Sequence, residues 1–196
     1  MRTADQTRDL IIARAMSIFN TKGYRATSLS DITKAAGITK GAIYGHFNSK
    51  EDVAEAGFEY AVKKITDNLT KVIRAADTAP DKLRAIVDYY SEYVINPPIR
   101  GGCPILNTAV EADDDHPHLR AKVVRFIAIM RESLQKIIHR GIREGQIKPN
   151  IDVEETAILF YASIEGGIMM SRVEGDNQTY RILQRRLHRD IDEISR

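Results

Sequence analysis

Apolar residues recur at helical spacing along almost the whole chain, and no stretch shows the strict alternation of a half-buried strand. The first predicted helix ends at Gly23 and has one apolar face, formed by Leu10, Ile11, Ala15, Ile18 and Phe19. Two short helices follow before residue 49, and longer ones are predicted at about 49–77, 79–96, 105–111, 119–144, 153–174 and 177–194. This pattern predicts an all-α protein of about nine to ten helices.

The two short helices meet at Gly37, a residue type that readily adopts the left-handed conformation of a tight turn. Thr27 or Ser28 is predicted to cap the first of them, since Ser28 and Asp31 have the spacing of a capping box. Thr39 is predicted to cap the second. Two helices joined by so short a turn are typical of a helix-turn-helix.

The second short helix has an unusual composition for its length. Ile43 and Phe47 lie four residues apart and are predicted to anchor it to the preceding helices. Gly41 and Gly45 remove two side chains from it, at a cost of ~0.5–1 kcal/mol each relative to alanine in a helix interior. A bulky partner close to the backbone explains this cost, and the major groove of DNA is such a partner.

Charge is distributed unevenly along the chain. Residues 1–50 carry eight Lys and Arg against three acidic residues, a net charge of +5, whereas residues 51–196 carry a net charge of −3. A basic segment on a mildly acidic remainder favours a polyanion partner for the basic segment alone. We therefore expect a helix-turn-helix DNA-binding domain at 1–50, a linking fourth helix at about 49–77, and a second domain at 51–196.

Composition excludes several other classes of protein. No apolar run approaches the ~18–20 residues that cross a bilayer, and the opening residues lack the apolar core of a signal peptide. The single cysteine, Cys103, excludes an internal disulfide and a multi-cysteine zinc site. The sequence predicts a cytoplasmic protein with no membrane partner, no metal and no cofactor.

The first fifty residues resemble the head of TetR-family transcriptional regulators. The resemblance lies in Gly23-Tyr24-x-x-Thr27-Ser28, Ile32, Ala35-Ala36-Gly37-Ile38, Gly41-Ala42-Ile43-Tyr44, His46-Phe47 and Ser49-Lys50-Glu51. Thr33 departs from the family pattern, which usually has a small alanine there; a threonine fits if its hydroxyl turns back to the helix. Beyond Lys64 the resemblance extends only to length, helix count and the loop GGCP…N.

This resemblance implies a homodimeric repressor with two DNA-reading heads and a helical body that binds a small effector. Effector binding would change the separation of the heads and release a palindromic operator. Helices at about 119–144 and 153–174 are the predicted dimer interface, because the second is apolar on more than one face.

Lys40, Tyr44 and His46 are the leading candidate DNA contacts. Lys50, at a helix N-terminus, is predicted to bind a phosphate, and Thr39, Lys40 and Ala42 to read bases. Two alternatives stay open, a partly buried Tyr44 and a purely capping role for Thr27 or Thr39. The full predicted set is Thr27, Ser28, Thr39, Lys40, Gly41, Ala42, Tyr44, His46 and Lys50.

Aromatic and thioether side chains of the body are the candidate effector site, and an effector of apolar or aromatic character is expected. Glu165 lies in an apolar stretch and needs a partner, which is an effector cation, an arginine across a dimer interface or a tyrosine hydroxyl. An aromatic stripe at helical spacing is more often core than pocket. The predicted set is Tyr89, Tyr93, Cys103, Phe126, Met130, Tyr161, Glu165 and Met169.

Two further features admit less common interpretations. Cys103 lies in a Gly-Gly-Cys-Pro loop near Arg100, so an accessible thiol that senses oxidants or electrophiles is an alternative function. His116 and His118 beside Asp113–Asp115 have the composition of a metal cluster, but acidic residues ahead of a helix are better explained as partners of its dipole.

Other functional classes find less support in the sequence. An enzyme is not indicated, since the chain has no P-loop, no GxGxxG after a strand and no HExxH. A nucleoid-type protein that binds DNA without specificity remains a third possibility, and it would lack both a palindrome and an effector cavity.

Overall fold

The computed structural model describes residues 3–112 and 116–196, and these residues form nine helices with no named strand. The helices are α1 (Ala4–Lys22), α2 (Leu29–Ala36), α3 (Lys40–Tyr44), α4 (Lys50–Ala75), α5 (Ala79–Ile95), α6 (Pro104–Ala112), α7 (Pro117–Arg143), α8 (Val153–Glu174) and α9 (Gln178–Ile194). The predicted all-α class is confirmed. The third helix is short and ends at Tyr44, with Gly45 as its C-cap.

The chain divides into two compact units. The head unit comprises the described residues of Met1–Lys64 together with Ile99–Val123, and the body unit comprises Ile65–Pro98 and Val124–Arg196. The head unit therefore holds α1–α3, the first half of α4, all of α6 and the beginning of α7. Helix α6 was expected to belong with the body, and its place in the head unit was not anticipated.

The head unit is built on a continuous apolar core. Helix α1 buries one side, from Ile11 to Phe19, and Ile32 of α2 and Ile43 of α3 are both almost fully buried. The core continues into α4 through Val53, Ala54 and Phe58. Burying such side chains contributes about 1.5–3 kcal/mol each, so the short helices α2 and α3 are held by packing more than by their own propensity.

An ion-pair cluster joins α4 to the beginning of α7 within the head unit. The Lys122 ammonium lies 2.5 Å from the Glu59 carboxylate and 3.2 Å from that of Glu55. Hydrogen bonding to Glu59 raises the pKa of Lys122, and Glu55 adds to the shift. The charged form of Lys122 is thus the form that holds these two helices together.

The body unit is organised around α5, α8 and α9. Tyr180 of α9 is fully buried; its backbone N–H donates to the Ser171 hydroxyl of α8 at 3.0 Å, and its own hydroxyl donates to the Val87 carbonyl of α5 at 3.1 Å. Burial raises the pKa of Tyr180, with the charges of Asp88 and Glu165 adding to the effect. A neutral, doubly bonded tyrosine therefore links the three helices.

Helix α8 has two apolar faces, one buried in the body unit and the other exposed. Its buried side includes Ala157, Phe160, Ile164, Ile168 and Ser171. Its exposed side carries a second apolar row, consisting of Leu159, Ala162, Gly166, Met169, Met170 and Val173. A helix that is apolar outside its own subunit core is suited to packing against another chain.

The described part of the chain was searched for membrane-spanning helices and for groups of metal-binding side chains. Within residues 3–112 and 116–196 no helix is both long and apolar enough to span a bilayer. The same residues contain no group of three or more His, Cys, Asp and Glu side chains placed to hold a metal ion. Asp113, Asp114 and Asp115, which the metal interpretation requires, lie outside the described residues.

Candidate nucleic-acid interface

The turn and caps of the helix-turn-helix have the predicted chemistry. The Ser28 hydroxyl accepts from the Asp31 N–H, while the Asp31 carboxylate accepts from the Ser28 backbone N–H at 2.8 Å, so the capping box is complete. Gly37 ends α2 in the left-handed conformation, with φ 64° and ψ 39°. Thr39 caps α3 by accepting from the Ala42 N–H at 3.2 Å. These bonds set where α2 ends and where α3 begins.

Helix α3 turns one side inward and presents the other to solvent. Ile43 and, just beyond the helix, Phe47 are buried and anchor it, as predicted. The Tyr44 side chain is 56% exposed, which excludes its interpretation as a core aromatic. Residues Thr39, Lys40 and Gly41 are also exposed, while Ala42 and His46 are half-buried.

The two glycines of this segment are not required by packing inside the chain. A Cβ added at Gly41 meets only the Thr39 hydroxyl at 3.8 Å, and one added at Gly45 meets backbone oxygens at 3.5 Å or more. Both distances are ordinary contacts. Packing inside the chain therefore does not require glycine at either position.

The structure corrects the role predicted for Thr27. Its side chain is 1% exposed, and its hydroxyl donates to the Gly23 carbonyl at 2.6 Å. Ser28, which follows it, is the residue that caps α2. Because Thr27 is enclosed and its hydroxyl is engaged, it stabilises the turn before α2 and does not present a phosphate contact.

Lys50 is likewise engaged inside the head unit. Its ammonium donates to the carbonyls of Tyr24 and Thr27 at 2.9 and 3.0 Å and lies 4.0 Å from the centre of the Tyr24 ring. The charge predicted to bind phosphate thus holds the turn of residues 23–27 against the start of α4. Lys50 is a positioning residue for α2 in this structure.

Sequence reasoning missed the part played by Tyr24. The ring contacts Phe19, with centroids 5.6 Å apart, and meets the His116 ring edge-on at 4.5 Å. Burial raises the pKa of the Tyr24 hydroxyl, and the neighbouring charge of Glu51 raises it further. The signal was available in the Gly-Tyr-x-x-Thr motif, but a motif does not say which atoms its aromatic ring contacts.

The departure at Thr33 causes no disturbance in α2. Its hydroxyl donates to the Ser30 carbonyl one turn earlier at 2.9 Å. This is the backward hydrogen bond that the sequence predicts for a threonine in place of a small alanine.

Another basic residue lies beside the recognition segment and was not singled out. The Arg8 guanidinium of α1 is exposed and lies 5.2 Å from the centre of the Phe47 ring. Lys22 is different, since it forms an ion pair with Asp31 at 2.9 Å. The positive charge of the exposed surface near α3 therefore includes Lys40 and Arg8.

The predicted effector residues do not form one cluster. Phe126 and Met130 are buried in the body unit, where Tyr93 also packs against Tyr90 with ring centroids 5.5 Å apart. Met169 is on the exposed side of α8, which corrects its prediction, and Cys103 belongs to the head unit. An apolar residue on the outside of a helix cannot line an internal cavity of the same chain.

Glu165 has one of its predicted partners. The Tyr161 hydroxyl donates to the Glu165 carboxylate at 3.0 Å, one turn away on α8. Tyr89, on α5, contacts the rings of Tyr90 and Tyr93. A separate hollow of about 260 Å³ in the body unit lies among Leu83, Ile138, Leu159, Phe160, Ser163 and Leu187.

The matching family models cover both parts of the chain. Residues 11–56 match the model for bacterial regulatory proteins of the tetR family, and residues 79–187 match the tetracyclin repressor-like C-terminal domain. The second model alone covers more than half of the chain.

Individual relatives agree with these models. A TetR transcriptional regulator from Chloroflexus aurantiacus is 37% identical and superposes with a TM-score of 0.96, covering 100% of this chain and 99% of its own. The regulator TtgR of Pseudomonas putida is 28% identical over 167 residues, 83% of this chain and 79% of the relative. IcaR of Staphylococcus aureus, a negative regulator of the biofilm operon icaADBC, is 26% identical over 155 residues, 79% of each chain.

The surface of α3 and these matches agree on one class of protein. The second helix of the capped helix-turn-helix contains a glycine and exposes a lysine and a tyrosine. The residues that follow this domain match the tetracyclin repressor-like C-terminal domain. The chain belongs to the TetR family and is a DNA-binding transcriptional regulator.

Proposed function

We propose that the exposed face of α3 enters the major groove of a palindromic operator and that the protein represses transcription until an effector releases it. The exposed Tyr44 on a helix anchored from behind by Ile43 and Phe47 is the observation that carries this proposal. Lys40, Tyr44 and His46 are the proposed contacts to phosphates and base edges. Thr39 and Ala42 are proposed to contact the bases as well. Gly41 allows the backbone to approach the groove, and Ser28 adds an exposed hydroxyl at the N-terminus of α2.

Dimerisation through α8 supports the palindromic geometry. Residues Leu159, Ala162, Gly166, Met169 and Val173 follow the alternating three- and four-residue spacing of a coiled-coil seam. A Cβ added at Gly166 meets nothing within 4 Å in its own chain, so the glycine leaves room for a second helix. We propose that two copies pack through this seam and present their heads to half-sites about 34–36 Å apart.

The body unit is the proposed site of effector binding. Residues 1–50 supply the DNA contacts and residues 51–196 supply the dimer contacts and the effector site in this proposal. Tyr89, Tyr93, Phe126, Met130, Tyr161 and Glu165 remain the proposed lining, and their aromatic character favours an apolar or aromatic effector. Release then depends on the difference between the effector's affinities for the DNA-bound and free forms.

Thiol sensing through Cys103 is not favoured. Its side chain is 3% exposed at the beginning of α6, whereas a sensor thiol must be reached by its oxidant. We propose that the protein acts by binding rather than by catalysis, and that it works in the cytoplasm, where its DNA target lies.

The test of DNA binding begins with selection of duplexes from a random pool by the purified full chain. A shared inverted repeat is expected, since each dimer presents two identical heads. We expect Tyr44→Phe to weaken binding to selected and random duplexes alike by about 10- to 150-fold, because it removes one hydrogen bond to a charged group. We expect Lys40→Ala to relax sequence preference as well and to reduce the salt dependence by about one phosphate contact in each head.

Matched controls separate these effects from general damage. Tyr60→Phe alters another exposed tyrosine, on α4, and Lys136→Ala removes an exposed lysine of α7. Both should bind DNA as the wild type does, with affinity measured by fluorescence anisotropy. Wild-type affinity in both Tyr44→Phe and Lys40→Ala would reject the proposed docking surface, and a selected pool without any common motif would favour non-specific binding.

A further inference from the structure

The hollow of the body unit is bordered by four helices. Its inner lining consists of apolar side chains that are each no more than 6% exposed: Leu83 of α5, Ile138 of α7, Phe160 of α8, and Leu187 and Ile191 of α9. Because buried residues of four helices meet around it, the hollow is a product of the packing of the body unit and not a crease between two exposed side chains.

The polar side chains at the hollow differ in what they already bind. The Thr156 hydroxyl donates to the Asp152 carbonyl at 2.5 Å, and the Arg186 guanidinium pairs with the Asp190 carboxylate at 2.7 Å. The half-buried Ser163 of α8 is different, since its hydroxyl has no hydrogen-bond partner among residues 3–112 and 116–196. That hydroxyl is therefore available to a bound molecule as a donor or an acceptor.

Charge at the hollow is confined to its solvent side. Arg186 and Glu193 are exposed, and the Asp190 side chain is 38% exposed. The buried side chains that line the hollow carry no charge. An ionised group moved into such a lining loses its hydration without a compensating partner, so the inner part of the hollow favours a neutral molecule.

The volume of the hollow limits the size of that molecule. At about 260 Å³ it is smaller than the ~300–1,000 Å³ typical of sites for drug-sized ligands, whereas an apolar cavity of ~150 Å³ is large enough to bind benzene. The space therefore suits a single ring with a short substituent.

We infer that the hollow is a second ligand site of the body unit. It takes a neutral, largely apolar molecule about the size of a substituted benzene, with one hydrogen-bonding group directed to the Ser163 hydroxyl. None of the six residues proposed to line the effector site borders it. This site is therefore additional to the effector site, and it does not depend on DNA binding.

Leu159 brings the hollow next to the proposed dimer seam. The residue borders the hollow, is 58% exposed, and is also a member of the seam. A side chain of a second copy is therefore the competing occupant, and it would exclude the ligand from the dimer. For this reason binding is measured on the full wild-type chain, whose state of association is followed by sedimentation velocity.

Three probes of one shape test the chemistry of the site in ligand-observed NMR titrations. We expect 2-phenylethanol and propylbenzene to bind the wild type, because both are neutral and fit the space. We expect 2-phenylethylamine, which is charged at pH 7, to bind at least about tenfold more weakly, because its ammonium would lose hydration in the apolar lining.

Variants at Ser163 locate the bound probes. Ser163→Ala should weaken 2-phenylethanol about 2- to 10-fold, the effect of one hydrogen bond, and should leave propylbenzene unchanged. Ser163→Met puts a longer side chain into the hollow and should abolish binding of both. Ser133→Ala alters a serine of α7 that does not border the hollow, so it should bind all three probes as the wild type does.

Several results would overturn the assignment. A wild type that binds none of the probes would do so, as expected if a second copy fills the hollow, and so would an ammonium that binds as tightly as the alcohol. Equal affinity of wild type and Ser163→Ala for 2-phenylethanol would reject the role of the hydroxyl even if Ser163→Met failed to fold. Undiminished binding to a folded Ser163→Met would place the probes elsewhere. The proposed DNA binding is judged separately, by the affinity of the wild type for its selected duplex.

Discussion

At the scale of single residues, the Lys50 ammonium has three N–H donors and the head unit uses two of them. Both accepting carbonyls, of Tyr24 and Thr27, belong to the turn before α2. The remaining contact, with the face of the Tyr24 ring, is electrostatic as well. We therefore expect Lys50 to influence DNA binding by holding α2 in place.

We expect Lys50→Met to lower the free energy of unfolding by about 1–3 kcal/mol, since two hydrogen bonds to a charged donor are lost and both carbonyls are left partly enclosed. Methionine keeps most of the length of the side chain, so packing is preserved. Chemical denaturation followed by circular dichroism measures the loss. Lys136→Met, at an exposed position of α7, is the control and should cost far less.

A stability unchanged in Lys50→Met, combined with weaker binding to all duplexes, would contradict the internal role. That result would restore Lys50 as a direct phosphate contact.

At the scale of elements, α2 and α3 are too short to be stable alone and depend on their caps and anchors. The capping box of α2 places the Asp31 carboxylate among donors: the Ser28 backbone N–H has the largest effect on the Asp31 pKa, followed by Lys22 and the Ser28 hydroxyl. All three lower the pKa of Asp31. The ionised carboxylate is therefore the form that stabilises α2.

A lowered pKa predicts a specific pH dependence. Because the folded state holds its carboxylate ionised below the ordinary value, the contribution of Asp31 is fully present above about pH 5 and declines as the pH falls through the acid range. The wild type should thus be more stable than Asp31→Asn at neutral pH, and the difference should shrink towards pH 3. Thermal unfolding at a series of pH values measures both proteins.

Asp5→Asn, in the first turn of α1, provides the comparison. A difference between wild type and Asp31→Asn that stayed constant down to pH 3 would show that the charge of Asp31 does not stabilise the cap.

At the scale of the whole molecule, we propose that the exposed apolar row of α8 forms the contact with a second copy. Ile164 and Ile168, which also belong to α8, are buried inside their own subunit. A charge there would unfold the body unit rather than separate two copies. Leu159 and Val173, with exposed fractions of 58% and 81%, are the suitable positions.

We expect Leu159→Glu to give folded monomers with weak operator binding, because a glutamate in the seam must lose its hydration against an apolar partner. Sedimentation velocity measures the state of association, and circular dichroism checks the fold. Arg172→Glu adds a glutamate to an exposed position of α8 outside the seam and should leave the dimer intact. Dimers unchanged in Leu159→Glu would place the interface elsewhere.

Much of the head could be predicted from the sequence, because its determinants are local. Helical periodicity, the Ser28–Asp31 spacing, Gly37 and Thr39 act over a few residues, and each appears in the structure with the expected bonds. The outward position of Tyr44 also follows from local spacing once Ile43 and Phe47 are placed inside. The sequence by itself therefore determined the helical class, the turn and the exposed recognition segment.

Only the tertiary structure decided which groups meet across long stretches of chain. Lys50 reaches carbonyls 23 and 26 residues earlier, and Asn20 reaches the loop at Gly102, 82 residues away. The membership of α6 in the head unit and the burial of Cys103 have the same origin. Spacing along a helix specifies a face, but the partner of that face is set by how distant segments pack, and no local pattern contains that information.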